Sequence, residues 1–246
     1  MEPVYRLQFE ISDLHLDCFR RLKPSVLLYF VQEAAGQHAA LLGTGWETLA
    51  EKNLFWAIIR HRIEIIRLPG PGETVILETW PMPTTRVTYP RATIAYDAAG
   101  KELFRSTALW VLMDTQTRAM VLPGKSGVTV NGILRGSECK NPASLPAREL
   151  ENRVTRLVTY AELDRNLHMN NTRYMDWVDS LLPGSFHKDH PLREMTVCYL
   201  SEAREGQVLE MAWQLEETGL LHVEAHRKKE ESGEKKERIF SAELRF

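Results

Sequence analysis

The chain has 246 residues, of which 43% are hydrophobic, and its formal net charge at pH 7 is −2. This length allows one large domain or two domains of average size, and the hydrophobic content is ample for buried cores. The near balance of charge gives no support to a strongly basic, nucleic-acid-binding surface or to a polyanionic tail.

The cysteines indicate a reducing compartment. Cys18, Cys139 and Cys198 are odd in number and widely spaced, which argues against a disulfide framework. We therefore expect a cytoplasmic protein. The start of the chain lacks a basic stretch followed by an apolar core, and no run approaches 18 apolar residues, so neither a signal peptide nor a membrane span is predicted.

The first half of the chain is predicted to be a helix followed by antiparallel strands. Apolar residues at helical spacing predict a helix capped by Ser25 that runs on to Leu42 before Gly43. Alternating and β-branched stretches then predict strands at 55–67, 74–82, 86–96 and 102–113. Residues 121–151 contain prolines and glycines without clear periodicity, which predicts a linker, and we place a domain boundary near residue 145.

The second half repeats the first. At a constant offset of 147, Asp17–Ala34 matches Asp164–Leu181, and this predicts a second helix that Pro183 and Gly184 end. Strands are predicted at 193–200, 208–216, 220–229 and 238–246. The charged run 227–238, centred on Ser232 and Gly233, mixes signs and is interpreted as a solvated hairpin.

A helix followed by a long antiparallel meander, present twice, predicts an α+β protein. A sheet with one apolar face needs a helix to cover it. The expected fold is two tandem hotdog repeats, each a long helix wrapped by an antiparallel β-sheet. Residues 1–145 would form the first repeat with its linker, and residues 146–246 the second.

Polar side chains are concentrated just before the second helix. Five of them fall within eight residues: Asp164, Asn166, His168, Asn170 and Asn171. Alternate residues of an extended loop project to one side. The first copy has Phe19 opposite Asn166 and Arg21 opposite His168, so only the second copy keeps the set. We interpret this loop as a reaction centre rather than as a helix-entry device that both copies would need.

A second carboxylate follows at Glu202, at the end of a predicted strand, where the first copy has Gly70. Combined in space with Asp164 and His168, it would complete an acid/base site able to activate water. His222 and His226 lie four residues apart on a predicted strand, about 13 Å apart and too far for one metal. No metal ion and no cofactor are predicted, since a glycine-rich nucleotide loop is also missing.

These residues resemble the acyl-acyl-carrier-protein thioesterases of plant plastids and bacteria. The run Asp164-Arg-Asn166-Leu-His168-Met169-Asn170-Asn171, with Tyr174 and Trp177 after it, is similar to the motif of that family's second hotdog repeat. The stretches 52–56 and 108–114 of the first half also resemble the family, so the likeness spans nearly the whole chain.

The resemblance implies hydrolysis of the thioester that joins a fatty acyl chain to the phosphopantetheine arm of acyl carrier protein. The implied catalytic residues are Asp164, Asn166, His168 and Glu202. The candidate substrate-binding residues are Trp56, Asn170, Asn171 and Tyr174. Residues 1–145 are expected to be the acyl-binding half, and residues 146–246 the catalytic half. Two hotdog units in one chain already satisfy the usual pairing, so a monomer or a homodimer is expected.

We expect water to attack without a covalent intermediate, with Glu202 as general base or water-positioning carboxylate, although the sequence leaves open whether Asp164 or Glu202 takes the proton. Ala203 stands where plant relatives often have a cysteine, which excludes a cysteine nucleophile there. Cys198 lies in an apolar stretch and is interpreted as core. The docking surface for an acidic carrier protein would need a local basic patch. The two candidates are Arg20, Arg21 and Lys23, or Arg60, His61 and Arg62.

Three other functions stay open at this point. The first is a coenzyme A thioester hydrolase on the same fold. The second is a hotdog dehydratase or hydratase that acts on 3-hydroxyacyl or enoyl thioesters. The third is a non-catalytic acyl-binding protein.

Overall fold

The computed structural model describes residues 2–228 and 236–246. The chain divides into two compact units, one that runs to Pro142 and one that covers Ala143–Phe246, three residues before the expected division after residue 145. The expected turn at Ser232 and Gly233 lies outside the described residues. No helix in the described ranges is long and apolar enough to cross a membrane.

The N-terminal unit is an antiparallel sheet with one long helix. Its strands follow the order β1-β3-β4-β5-β2, and a short β6 pairs with β5. The strands are β1 (Tyr5–Glu10), β2 (Leu54–Ile65), β3 (Thr74–Pro81), β4 (Tyr89–Asp97), β5 (Glu102–Asp114) and β6 (Met120–Val121). The sequence predicted β2 to β5 to within three residues at each end and missed β1.

Helix α1 (Pro24–Leu41) buries a continuous apolar side that includes Leu27, Phe30 and Val31. The predicted cap at Ser25 is wrong. Lys23 is the N-cap and Pro24 occupies the first turn, where a missing N–H costs nothing because that donor has no partner inside the helix. Two short helices, α2 (Trp46–Ala50) and α3 (Pro123–Ser126), complete this unit.

The C-terminal unit has the strand order β8-β11-β10-β9-β7, all antiparallel. The strands are β7 (Asn152–Leu157), β8 (Glu194–Tyr199), β9 (Val208–Leu215), β10 (Leu220–Lys228) and β11 (Lys236–Arg245). The α+β class is therefore confirmed. The sequence missed β7, which corresponds to β1 of the first unit.

The helix of the C-terminal unit, α4 (Arg173–Asp179), has only seven residues and is shorter than the long helix that was expected. Pro183 explains the early end, because proline has no N–H to donate to the carbonyl of Asp179. The ring Nε2 of His187, in the following helix α5 (Gly184–Asp189), donates to that carbonyl instead at 2.9 Å.

Candidate active site

The polar loop at 163–172 is fixed at both ends by Glu162. Its carboxylate accepts from the backbone N–H of Thr159 at 2.7 Å and from the indole N–H of Trp177 in α4 at 2.6 Å. Its backbone carbonyl accepts from the N–H of Asn170 at 2.8 Å. A charged acceptor strengthens such bonds, so one side chain holds the start of the loop against the helix that follows it.

Asp164 folds the loop by binding its backbone. Its Oδ1 accepts from the N–H of Asn166 at 2.7 Å and from the N–H of His168 at 3.3 Å. The N–H of Asp164 in turn donates to the carbonyl of His168 at 2.8 Å, and Leu167 takes a left-handed conformation at φ 61°. The Asp164 carboxylate therefore builds a tight turn that presents Asn166 and His168.

His168 and Glu202 meet directly. The ring Nε2 of His168 lies 3.1 Å from Oε2 of Glu202, a hydrogen-bond distance that favours the tautomer with its proton on Nε2. The two segments also join through the backbone, since His168 forms a bridge with Arg204 and the N–H of Met169 donates to the carbonyl of Ala203.

The two members of this pair differ in their access to solvent. The His168 side chain is 10% exposed, whereas that of Glu202 is 36% exposed. A nearly buried imidazole is thus held against a carboxylate that water can reach. The sequence predicted that His168 and Glu202 come together, and their catalytic roles stay a prediction.

Arg227 binds the backbone of Glu202, and the sequence analysis did not identify it. Its Nη1 donates to the backbone carbonyl of Glu202 at 3.0 Å and to Oε1 of Gln207 at 2.8 Å, and its Nη2 donates to Glu237 at 2.7 Å. The antiparallel pairing of β10 with β11, in which Arg227 lies opposite Glu237, agrees with the predicted hairpin, but the half-buried Arg227 side chain also contacts the Glu202 loop. Mixed charge gave no signal that this arginine folds back onto the Glu202 loop.

Asn166 is exposed at the tip of the turn. Its amide Nδ2 is 3.4 Å from Oδ2 of Asp164, the second oxygen of the carboxylate that builds the turn. This bond is long, so the amide N–H groups can turn towards a bound ligand with little loss.

The predicted substrate-binding residues occupy different surroundings. The side chain of Asn170 accepts from the N–H and the hydroxyl of Thr172, each at 2.9 Å, and so caps the entry to α4. The carbonyl of Asn171 accepts from the hydroxyl of Tyr199 at 3.1 Å. Tyr174 is buried and stacks on Phe240 at 4.6 Å.

Trp56 lies in the N-terminal unit. Its indole N–H donates to the carbonyl of Thr44 at 2.9 Å, and its ring meets that of Tyr89 edge-on at 4.9 Å. The contacts of Asn170, Tyr174 and Trp56 are those of capping and packing groups. A substrate contact for these three residues stays a prediction.

The N-terminal unit contains the same turn with different side chains. Oδ1 of Asp17 accepts from the N–H groups of Phe19 and Arg21 at 2.8 and 2.9 Å, and Arg20 has φ 62°. The N–H of Asp17 donates to the carbonyl of Arg21 at 2.8 Å. The backbone frame is thus common to both units, and the amide and imidazole side chains belong to the second alone.

The part of the chain that the structure describes contains no cluster of metal-binding side chains. Within residues 2–228 and 236–246, no group of three or more histidine, cysteine, aspartate or glutamate side chains could hold a metal ion. The second candidate basic patch also changes, because His61 is completely buried and cannot contribute to a surface.

Comparison with known proteins identifies the family. A family model of the acyl-ACP thioesterase N-terminal domain matches residues 2–122, and the model of the C-terminal domain matches residues 147–242. The chain belongs to the acyl-ACP thioesterase family. The division of these matches follows the two units of the structure.

Curated relatives of this thioesterase family member come from plants. The chain is 28% identical over 224 residues to a chloroplastic dodecanoyl-[acyl-carrier-protein] hydrolase of Cinnamomum camphora, a match that covers 84% of the chain and 58% of the relative. It is 26% identical over 225 residues to a chloroplastic palmitoyl-acyl carrier protein thioesterase of Arabidopsis thaliana, a match that covers 84% of the chain and 54% of the relative. The chain thus spans somewhat more than half the length of these relatives.

Solved structures show the same fold. An acyl-ACP thioesterase from Bacteroides thetaiotaomicron superposes with a TM-score of 0.88 at 24% identity and covers 99% of this chain and 98% of its own. A 12:0-ACP thioesterase from Umbellularia californica gives a TM-score of 0.82 at 23% identity, with 100% and 97% covered. The expected tandem hotdog fold is confirmed.

Proposed function

We propose that this chain hydrolyses the thioester of fatty acyl-acyl carrier protein and releases a free fatty acid. The observation that carries the proposal is the 3.1 Å contact between Nε2 of His168 and Oε2 of Glu202, which pairs a nearly buried imidazole with a solvent-accessible carboxylate. A carboxylate so placed is a suitable acceptor for the proton of an attacking water.

In this mechanism Glu202 is the proton acceptor. Its carboxylate, which contacts the His168 ring through Oε2, takes a proton from water as the water oxygen attacks the thioester carbonyl carbon. The carbon–sulfur bond then breaks, and the proton that Glu202 accepted passes to the leaving thiolate of the phosphopantetheine arm, which restores the carboxylate. Water becomes the hydroxyl of the released acid, so no covalent enzyme intermediate forms.

Asp164 has a different role, as a positioning residue. Its carboxylate accepts two backbone N–H bonds within the turn, and Asp17 accepts the equivalent pair in the unit that lacks the imidazole. An acceptor used in both units serves the turn itself. We therefore assign the proton transfer to Glu202.

Asn166 would contribute the polarising donor. Its exposed amide stands beside the His168–Glu202 pair in sequence and on the same turn. An N–H aimed at the thioester oxygen stabilises the negative charge that develops there as water attacks.

The carrier is tested by release of free fatty acid from two matched substrate series, acyl carrier protein thioesters and coenzyme A thioesters of 8 to 18 carbons, by the wild-type chain. Family membership predicts a kcat/KM that is higher on the carrier-protein series. A preference for the coenzyme A series would replace the carrier with coenzyme A. An enoyl product would indicate a lyase, and absence of turnover on both series would leave an acyl-binding protein.

A cytoplasmic location and a monomeric or homodimeric state also stay proposals. The first is supported by the three cysteines, none of which forms a disulfide, as expected of a reducing compartment. Cell fractionation and light scattering test the two.

A further inference from the structure

Six buried polar side chains of the N-terminal unit lie on one face of its sheet or on the side of α1 that packs against that face. One row across the sheet consists of Thr79 in β3, Thr93 in β4 and Ser106 in β5. The neighbouring row consists of Arg91 in β4, Ala108 in β5 and His61 in β2. Directly opposed residues share one face of a sheet. Together with His38 of α1, these residues form what we call the buried polar cluster: His38, His61, Thr79, Arg91, Thr93 and Ser106.

Arg91 is the centre of the cluster. Its Nη1 lies 3.1 Å from Nδ1 of His38 and donates to the hydroxyl of Thr79 at 3.3 Å. The contact with α1 establishes that this face of the sheet looks towards the helix. Arg91 is only 8% exposed, and His38, Thr79 and Thr93 are buried as well.

The charge of Arg91 has no counter-charge. Among the described residues, no carboxylate forms an ion pair with it. The nearest acidic residue along the adjoining strand, Glu78, points to the other face and already binds Arg6 and Arg135. Burial, together with the charge of Arg91, lowers the pKa of His38 to about 4, so at neutral pH the cluster carries one net positive charge.

Several atoms of the cluster also lack hydrogen-bond partners. In the described part of the chain, none is found for Nε2 of His38, for either ring nitrogen of His61, or for the hydroxyl of Ser106. Buried polar groups are almost always satisfied. A buried guanidinium without a counter-charge, on a sheet face that carries further polar groups without partners, is an environment that receives an oxyanion.

The surroundings of the cluster are apolar. Along the same face the next row consists of Leu77, Ala95 and Phe104, each fully buried. Helix α1 buries Phe30 and Val31 about two turns before His38. A ligand that fits both surroundings carries an anionic oxygen function on an aliphatic body.

We propose that the N-terminal unit binds the carboxylate of an aliphatic carboxylic acid at the buried polar cluster, with Arg91 as the principal donor and His61 and Ser106 as supporting groups. The carboxylate can belong to a free acid or to the far end of an acyl chain. The second source rests on the proposed hydrolytic function, and the first does not.

Calorimetric titration tests the site without any turnover. The wild-type chain is titrated with dodecanoate and with dodecan-1-ol, which has the same length and no charge. We expect dodecanoate to bind at least about tenfold more tightly, as charge-assisted hydrogen bonds provide. Arg91→Met should abolish this preference, and Arg86→Met, which removes an exposed arginine of the same unit, should retain it.

Equal affinities for the acid and the alcohol in the wild type, or a preference that survives Arg91→Met, would overturn the proposal. If circular dichroism shows that Arg91→Met does not fold, His61→Leu takes its place, since it keeps the charge and is expected to weaken dodecanoate several-fold while leaving dodecan-1-ol unchanged. An unchanged dodecanoate affinity in His61→Leu would then overturn it.

A second arm distinguishes the two sources. Hydrolysis of dodecanoyl-acyl carrier protein is compared with that of the 11-carboxyundecanoyl thioester. A wild-type preference for the carboxylated chain that Arg91→Met removes assigns the site to the distal end of the acyl chain. The opposite preference, together with tight dodecanoate binding, assigns it to a free acid. If neither thioester is hydrolysed, the proposed function fails and the calorimetric result still stands.

Discussion

Asp17 and Asp164 make the same backbone hydrogen bonds in the two units of one chain. Each accepts from the N–H groups two and four residues ahead, and each is followed, three residues on, by a residue with a left-handed backbone, at φ 62° and 61° respectively. The second unit adds an amide and an imidazole to this turn. These two side chains thus stand on a backbone frame that forms without them in the first unit.

The first prediction concerns Asp164. Asp164→Asn keeps an oxygen acceptor for the two backbone donors, so kcat should fall by less than about tenfold. Asp164→Ala removes the acceptor, which should cost about 1–2 kcal/mol in the free energy of unfolding and lower kcat strongly. Steady-state kinetics and urea unfolding measure both quantities.

Asp17→Ala is the matched control for this pair. It should lower the free energy of unfolding by a similar amount and leave kcat nearly unchanged, because its turn bears no catalytic side chain. A loss of activity in Asp164→Asn as complete as that in Asp164→Ala would show instead that Asp164 takes the proton.

The second prediction concerns Asn166. Loss of one donor to the developing oxyanion typically lowers kcat on the order of 100-fold or more, and Asn166→Ala and Asn166→Asp should both show it. Because the side chain is exposed, the free energy of unfolding should stay within about 0.5 kcal/mol of the wild type. Full activity in Asn166→Asp, which lacks the amide donor, would argue against this role.

The third prediction concerns Arg227. Arg227→Met removes the donor to the Glu202 carbonyl and should lower kcat by roughly 10- to 100-fold, since small displacements of a catalytic group are costly. KM should change much less, and Arg227→Lys should rescue poorly because it lacks the fork that reaches Glu202, Gln207 and Glu237 together. Arg153→Met, which breaks an ion pair with Glu210 in the same unit, should leave kcat at the wild-type value.

The fourth prediction concerns pH and stability. Burial lowers the pKa of His61 from 6.5 to about 3, so the folded chain keeps this ring neutral while the unfolded chain binds a proton below about pH 6.5. The unfolded state therefore holds more protons, and the free energy of unfolding falls as pH decreases from 6.5 towards 3. Between pH 7 and 5 this one group should account for about 2 kcal/mol.

Urea unfolding of the wild type and His61→Leu at pH 7 and pH 5 measures that contribution. The loss of stability on acidification should be smaller in the variant by about 2 kcal/mol. The depressed pKa of His38 adds a second contribution, which the variant keeps. An identical loss in both proteins would mean that His61 becomes protonated in the folded chain.

The sequence predicted most of the fold because local patterns carry it. Alternation and β-branched residues predicted eight strands, and the 147-residue offset predicted the repeat. The strands β1, β6 and β7 were missed. Alternation could have found β1, since Tyr5–Glu10 alternates between half-buried and exposed residues. β6 has only two residues, and β7 has no apolar face because its two apolar residues, Val154 and Leu157, lie on opposite sides of the strand. The short α4 was missed because helical spacing continues past Asp179, while Pro183 removes the donor on which its last turn depends.

The sequence also predicted the meeting of His168 and Glu202, which lie on segments 34 residues apart. It left open whether Asp164 or Glu202 takes the proton, and the match of Asp17 with Asp164 was the available signal that this aspartate holds the same turn in both units. The contacts of Arg227 and the buried polar cluster around Arg91 could not be predicted, because they depend on strand register and on a helix packed across the sheet. Such long-range placement has no local pattern in the sequence.

The most direct test of the central claim is the rate of fatty acid release from dodecanoyl-acyl carrier protein by the wild type, Glu202→Gln and Glu216→Gln. Glu216→Gln is the matched control, since Glu216 contacts His222 at 2.7 Å at the far end of β9. We predict a loss of at least about 100-fold for Glu202→Gln, as expected when a general base is removed, and a wild-type rate for Glu216→Gln. Release by Glu202→Gln at the wild-type rate would contradict the assignment of water activation to the His168–Glu202 pair.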